Sequence, residues 1–173
     1  MNKQKNAGFT LLEAIIVVAI ISIVAVFAIP AYQNTVERNR LKQAVESFKS
    51  DLQLARTKAI KRSQNILITR TAGNAGAWCY GLTAKAACDC TQTNASAADF
   101  CEIKRVSGND FDSTNLISAS GNSSFDFRRG TIGANGVSFS TDNYTARVVF
   151  SSVGRVRICT PAGTTGLPTY PGC

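Results

Sequence analysis

Hydrophobic positions along the chain follow three different rhythms. Residues 9–29, FTLLEAIIVVAIISIVAVFAI, are apolar at every position except Thr10, Glu13 and Ser22. At 1.5 Å of rise per residue such a run extends about 31 Å as a helix, the thickness of a bilayer's hydrocarbon core. After Pro30 the pattern becomes amphipathic. Leu41, Val45, Phe48, Leu52, Ala55 and Ala59 recur at intervals of four and three, which puts one apolar stripe on one helix face. Arg40, Lys42, Lys49, Arg56, Lys58 and Arg62 fall elsewhere on that helix and read as a solvated face. Pro30 removes one backbone hydrogen bond and is expected to kink or loosen the helix. A helix continuous from Phe9 to Arg62 would run about 80 Å.

From residue 65 the period shortens to two. NILITRT, AWCYGL, FCEIKRV, SFDFR, GVSFS, ARVVF and RVRIC are short runs separated by Gly, Asn, Ser and Asp clusters. Such runs predict antiparallel strands, and a helix whose stripe covers them predicts an α+β head. The expected organisation is a leader at 1–8, a transmembrane helix segment at 9–29, an amphipathic helix at 30–62, and an antiparallel β head at 63–173. The small-residue segment 84–99 is expected to be a loop stapled by Cys88 or Cys90, and Trp78 to be packed in the core or a loop.

Composition narrows the chemistry. The chain has no histidine, so the usual Ser-His and Cys-His nucleophile arrangements are missing, and it contains no Gly-rich phosphate loop. An enzyme is not expected, nor is a cofactor. The six cysteines, Cys79, Cys88, Cys90, Cys101, Cys159 and Cys173, lack paired C-x2-C knuckles, so no metal site is expected. An even count suits disulfides in an oxidising compartment. Six cysteines allow 15 connectivities. Cys159–Cys173 is the neatest local pair, closing a tail of 15 residues and contributing about 3 kcal/mol by loop entropy.

The charge is +8 overall, and unevenly spread. Residues 30–70 carry nine Lys and Arg against three acids, whereas 71–120 carry three against five. Residues 121–173 carry five arginines, no lysine and two aspartates. All-arginine usage suits planar recognition of phosphate or carboxylate. In SSVGRVRICTP, Arg155 and Arg157 flank Val156, so on a strand they share one face while Val156 and Ile158 take the other. Two such guanidinium groups can meet successive phosphates without reading base sequence. Gly154 would let the backbone turn tightly and approach a phosphate closely. Charge on an edge strand also serves to prevent aggregation, and that use competes with binding. Arg147, Arg128, Arg129, Lys104 and Arg105 are candidate extensions of the patch.

The apolar run offers no good small-x-small cleavage site in VFAIPAYQ, which argues against a secretory signal peptide. Glu13 within the run would cost roughly 3 kcal/mol at mid-bilayer unless partnered. Both points are met by a resemblance. KNAGFTLLEAIIVVAIISIVAVFAIPAYQ resembles the leader and first helix of type IV pilin-like proteins, and VVFSSVGRVRIC resembles the end of the head in the GspH/FimT family. The resemblance implies that a prepilin peptidase cuts between Gly8 and Phe9 and methylates the new amino terminus. It implies that Glu13 pairs with the amine of a neighbouring pilin in a filament. FimT-type members carry a Gly-Arg-x-Arg motif, matched by Gly154, Arg155, Val156 and Arg157. That match implies a minor pilin binding double-stranded DNA for natural transformation. It would be anchored in the inner membrane by a single pass, with a periplasmic head, and later assembled into a type IV pilus. Three rival readings share the anchor: a priming minor pilin of the FimU kind, a type II secretion pseudopilin of the GspH kind, and an adhesin for an acidic polymer.

Overall fold

The computed structural model describes residues 9–117 and 121–173. Helix α1 spans Leu11–Arg62 and includes Pro30. The chain divides into two compact units, residues 1–36 and 37–173. In the first unit the helix has an 18-residue window apolar enough to cross a membrane, and its large hydrophobic side chains from Leu11 to Ile29 are exposed. Glu13 is exposed as well, and its backbone N–H is capped by Thr10 Oγ1 at 3.3 Å. The expected cleavage position Gly8 lies outside the described residues.

In the second unit the apolar stripe is buried as the spacing predicts: Leu41, Val45, Phe48, Leu52, Ala55 and Ala59 are each 0–1% exposed. They cover two four-stranded antiparallel sheets. The first has the order β3-β2-β1-β5, from β1 (Ile66–Thr71), β2 (Cys79–Thr83), β3 (Lys104–Ser107) and β5 (Ser123–Phe125). The second has the order β4-β6-β7-β8, from β4 (Asn115–Leu116), β6 (Asn135–Ser140), β7 (Thr145–Phe150) and β8 (Val156–Cys159). All seven alternating runs contain a strand, and β4 is an addition to them. The fold is α+β, as the sequence indicates, with its strands divided between two sheets.

Phe48 of the helix joins those sheets. Its ring meets Tyr80 of β2 edge-on at 4.9 Å and tilts against Phe139 of β6 at 5.6 Å. Trp78 stacks between Tyr80 and Phe111 and donates from its indole nitrogen to the Thr114 carbonyl at 2.9 Å. It is a packing residue with its one polar atom satisfied. All buried core side chains among the described residues lie between Leu41 and Leu167, so the second unit carries the whole core.

Three disulfides complete the head, and no described cysteine is free. Cys159 pairs with Cys173, as its spacing suggests. Cys79–Cys90 and Cys88–Cys101 both staple the loop after β2, where the sequence left the choice between Cys88 and Cys90 open. The sulfurs of Cys88 and Cys90 lie within reach of the Thr69 and Thr71 hydroxyls on the outer face of β1.

One acid breaks the helix pattern. Asp51 lies on the buried face, 3% exposed, where it accepts from the Tyr80 phenol at 2.8 Å and from Lys104 Nζ at 2.6 Å. Burial, reinforced by the Asp51 charge, pushes the Tyr80 phenol well above its ordinary range and keeps it a donor. Replacing Lys104 by Met should leave that carboxylate with the phenol and without its counter-charge. Breaking a fully buried pair costs 3–5 kcal/mol, and the half-exposed lysine end reduces this to about 1–3 kcal/mol in a urea melt. The double variant Lys104→Met with Asp51→Asn should recover part of the loss. No change in the single variant would contradict the pairing.

Candidate nucleic-acid interface

The candidate interface is built on the hairpin of β7 and β8. The register pairs Val149 with Arg157 and Phe150 with Val156. Phe150, Val148 and Ile158 are buried toward the core, so strand alternation sends Arg147, Val149 and Arg157 to the outer face. Arg155, one step before the strand, is exposed and lines a shallow groove with Arg157, Val149, Ser151 and Val153. The two arginines therefore do share a face, with valines and a serine between them and no acid.

Gly154 sets the turn that delivers them. Its φ of +77° lies in the left-handed region, and its N–H donates to the Ser151 carbonyl at 2.8 Å. A methyl group added there would stand 2.7 Å from the Gly130 carbonyl oxygen. The glycine is thus required by a backbone-to-backbone approach inside the head, a reason beyond the close phosphate approach expected from sequence. Gly130, itself at φ +61°, ends the turn that carries Arg128 and Arg129. Those two exposed arginines consequently stand beside the Gly154 turn. Asp126 accepts from their backbone N–H groups, at 2.8 Å from Arg128 and 3.1 Å from Arg129. Arg128 also lies over the Phe127 ring at 5.5 Å.

The remaining candidates divide. Arg147 shares the outer face and lies across Gly136 of β6, half-buried. Lys104 and Arg105 stand on β3, the edge strand of the other sheet. Lys104 is engaged by Asp51, and Arg105 donates to the Cys90 carbonyl at 3.5 Å. They are not grouped with Arg155 and Arg157. Arg157 is tied to the disulfide-closed tail, since its Nη2 donates to the Cys173 carbonyl at 3.5 Å.

One residue at this place escapes the sequence reading. Arg56 of α1, assigned there to the solvated face, is half-buried against both turns. Its Nε would lie 2.9 Å from a methyl group on Gly130 and 3.1 Å from one on Gly154. Position 56 is four residues after Leu52 and three before Ala59, on the flank of the stripe, and that spacing was the available signal.

Comparison with known proteins places the chain. The family model described as type II transport protein GspH matches residues 44–165. The chain belongs to the GspH family of type IV pilin-like proteins. The match to this GspH family takes in Arg56, Gly130, Gly154, Arg155 and Arg157, and a prokaryotic N-terminal methylation motif matches residues 3–29. The fold resembles the type IV minor pilin FimU of Pseudomonas aeruginosa, with a TM-score of 0.52 and 19% identity over 70% of this chain and 90% of that one. The chain is 52% identical over 44 residues to the fimbrial protein EcpC of Eikenella corrodens, covering 25% of this chain and 29% of that one. It is 44% identical over 71 residues to a fimbrial protein of Pseudomonas aeruginosa, covering 41% and 44% respectively. It thus spans under half the length of these curated relatives.

Gly154→Ala tests the geometry of the turn. Both the left-handed φ and the Gly130 carbonyl oppose a side chain, so the GspH-family head should lose about 1–3 kcal/mol of stability. The loss should appear in chemical denaturation while all three disulfides still form. An unchanged midpoint would mean that the turn does not need its glycine.

Proposed function

We propose that this chain is a minor pilin whose head binds duplex DNA without sequence preference during DNA uptake for natural transformation. The observation that carries the reading is the acid-free groove in which Arg155 and Arg157 face solvent together. Guanidinium groups on one face of the hairpin present paired donors to phosphate oxygens, and such phosphate contacts carry no base sequence. Arg147, on the same outer face, and Arg128 and Arg129, on the turn that ends at Gly130, are the candidates to extend the contact along a backbone.

The anchor follows from the family. In this reading the apolar half of α1 holds the protein in the inner membrane with its head in the periplasm, where the three disulfides are stable. A prepilin peptidase frees Phe9, and Glu13 takes the amine of a neighbouring pilin as its partner. A FimU-like priming role or a GspH-like place in type II secretion would use the same anchor, with the head spent on subunit contacts. The likeness to FimU supports a pilin-type head, and the acid-free arginine groove favours DNA over a purely subunit-binding surface.

The salt dependence of binding tests the DNA reading. With three or four phosphates neutralised, the slope of log K against log salt should be roughly −3, at about −0.9 per phosphate. Arg155→Gln with Arg157→Gln should shallow the slope by about two units and abolish most binding, with the melting curve unchanged. Cells carrying the pair should fail to transform yet still assemble pili. Unchanged affinity and slope in the double variant would refute the assignment, and loss of pili with weak DNA binding from the outset would favour the priming role.

A further inference from the structure

We infer that Arg56 of the helix is a second-side phosphate contact, so that the DNA-binding surface wraps around the Gly154 turn instead of stopping at the hairpin face. The inference rests on the DNA reading above. It adds a residue from a different element, on the opposite flank of Arg155 from Arg157.

Two grooves meet at Arg155. One is the hairpin groove already described. The other, of about 520 Å³, is lined by Gln53, Arg56 and Thr57 of the helix and by Val153, Gly154 and Arg155 of the turn. Neither contains an acid. Among the described residues the ion pairs are Arg40–Asp112, Lys49–Glu46 and Lys104–Asp51, and none engages Arg56, Arg155 or Arg157. The nearest carboxylate on the adjoining turn, Asp126, is taken up by the backbone N–H groups of Arg128 and Arg129.

A half-buried arginine on a helix flank commonly pairs with a neighbouring carboxylate. Arg56 instead lies along two glycine backbones that have no side chain to offer it, and its guanidinium borders an open, acid-free groove. Both glycines leave the space that the guanidinium fills, and a methyl group on either would press on Arg56 Nε. The long stem is thereby held before any ligand arrives, which lowers the ordering cost of a contact. The ligand chemistry that completes such a site is an anion large enough to bridge Arg56 and Arg155. A phosphodiester already held by Arg155 and Arg157 continues into it naturally.

The test uses the full chain in a neutral detergent and a fluorescent 30-base-pair duplex titrated across a range of potassium chloride. Arg56→Gln should shallow the salt slope by about one unit and weaken binding roughly 5–10-fold near 0.1 M salt. Arg56→Lys should restore most of the slope. Lys61→Gln, an exposed cation on the same helix outside both grooves, should change neither. Gln53→Glu and Thr57→Glu place a negative charge in the helix-side groove without touching the turn, and each should weaken binding comparably. They keep the inference testable if Arg56→Gln disturbs folding. If these three helix variants bind like the parent while Arg155→Gln with Arg157→Gln loses binding, the inference falls and the DNA reading stands. If the arginine pair itself leaves the slope unchanged, the DNA reading falls and takes the inference with it.

Discussion

At Gly154 the chain runs left-handed, with its α-carbon so close to the Gly130 carbonyl that no side chain fits between them. That single backbone approach fixes the end of the β7–β8 hairpin against the turn carrying Arg128 and Arg129. It also closes over Arg56, which fills the space that both glycines leave open. The positions of arginines from three separate stretches of chain, at 56, 128–129 and 155–157, are thereby set by one contact. A side chain at Gly154 would have to push the two turns apart, and one at Gly130 would press on Arg56 and Ile60 of the helix, so either would move the charges.

The rest of the head serves to hold that contact still. Phe48 binds both sheets to the helix, and the apolar stripe around it is almost wholly dry. The register of β7 and β8 then leaves little freedom in where Arg157 points, since a slip of one residue would bury it and expose Ile158. The Cys159–Cys173 bridge closes the tail beside the same strand, and Arg157 reaches the tail's last carbonyl. Arg56 stands on the helix and Arg157 on a strand, while Arg155 and the Arg128–Arg129 pair stand on turns held by the Gly130–Gly154 approach, so the arginines share a preorganised surface.

Much of this was legible in the sequence because it depends on periodicity. The helix stripe and the seven alternating runs follow from spacing alone, as does the shared face of Arg155 and Arg157. What was not legible depends on distance in space. Asp51 looks like another surface acid on a charged helix, and only Tyr80 and Lys104, from strands far along the chain, make it a buried acceptor. The two-residue strand β4 is too short to show a period. The division into two sheets is likewise invisible, because alternation does not say which strands are neighbours. Arg56 was misread for a related reason. Its place on the flank of the stripe was visible, but the glycine turns that half-bury it come from residues 130 and 154.

In the proposed function the head meets DNA through the arginines gathered around the Gly154 turn. The most direct measurement is an NMR titration of isotope-labelled residues 37–173, the unit that holds the whole core, with a short duplex, following backbone amides and arginine side-chain Nε resonances together. Perturbations should centre on residues 151–157, with the Arg155, Arg157 and Arg56 Nε signals moving in step and those around Lys104 and Arg105 staying in place. Perturbations confined to the β3 edge, or none at a DNA concentration that saturates binding, would contradict the proposed function.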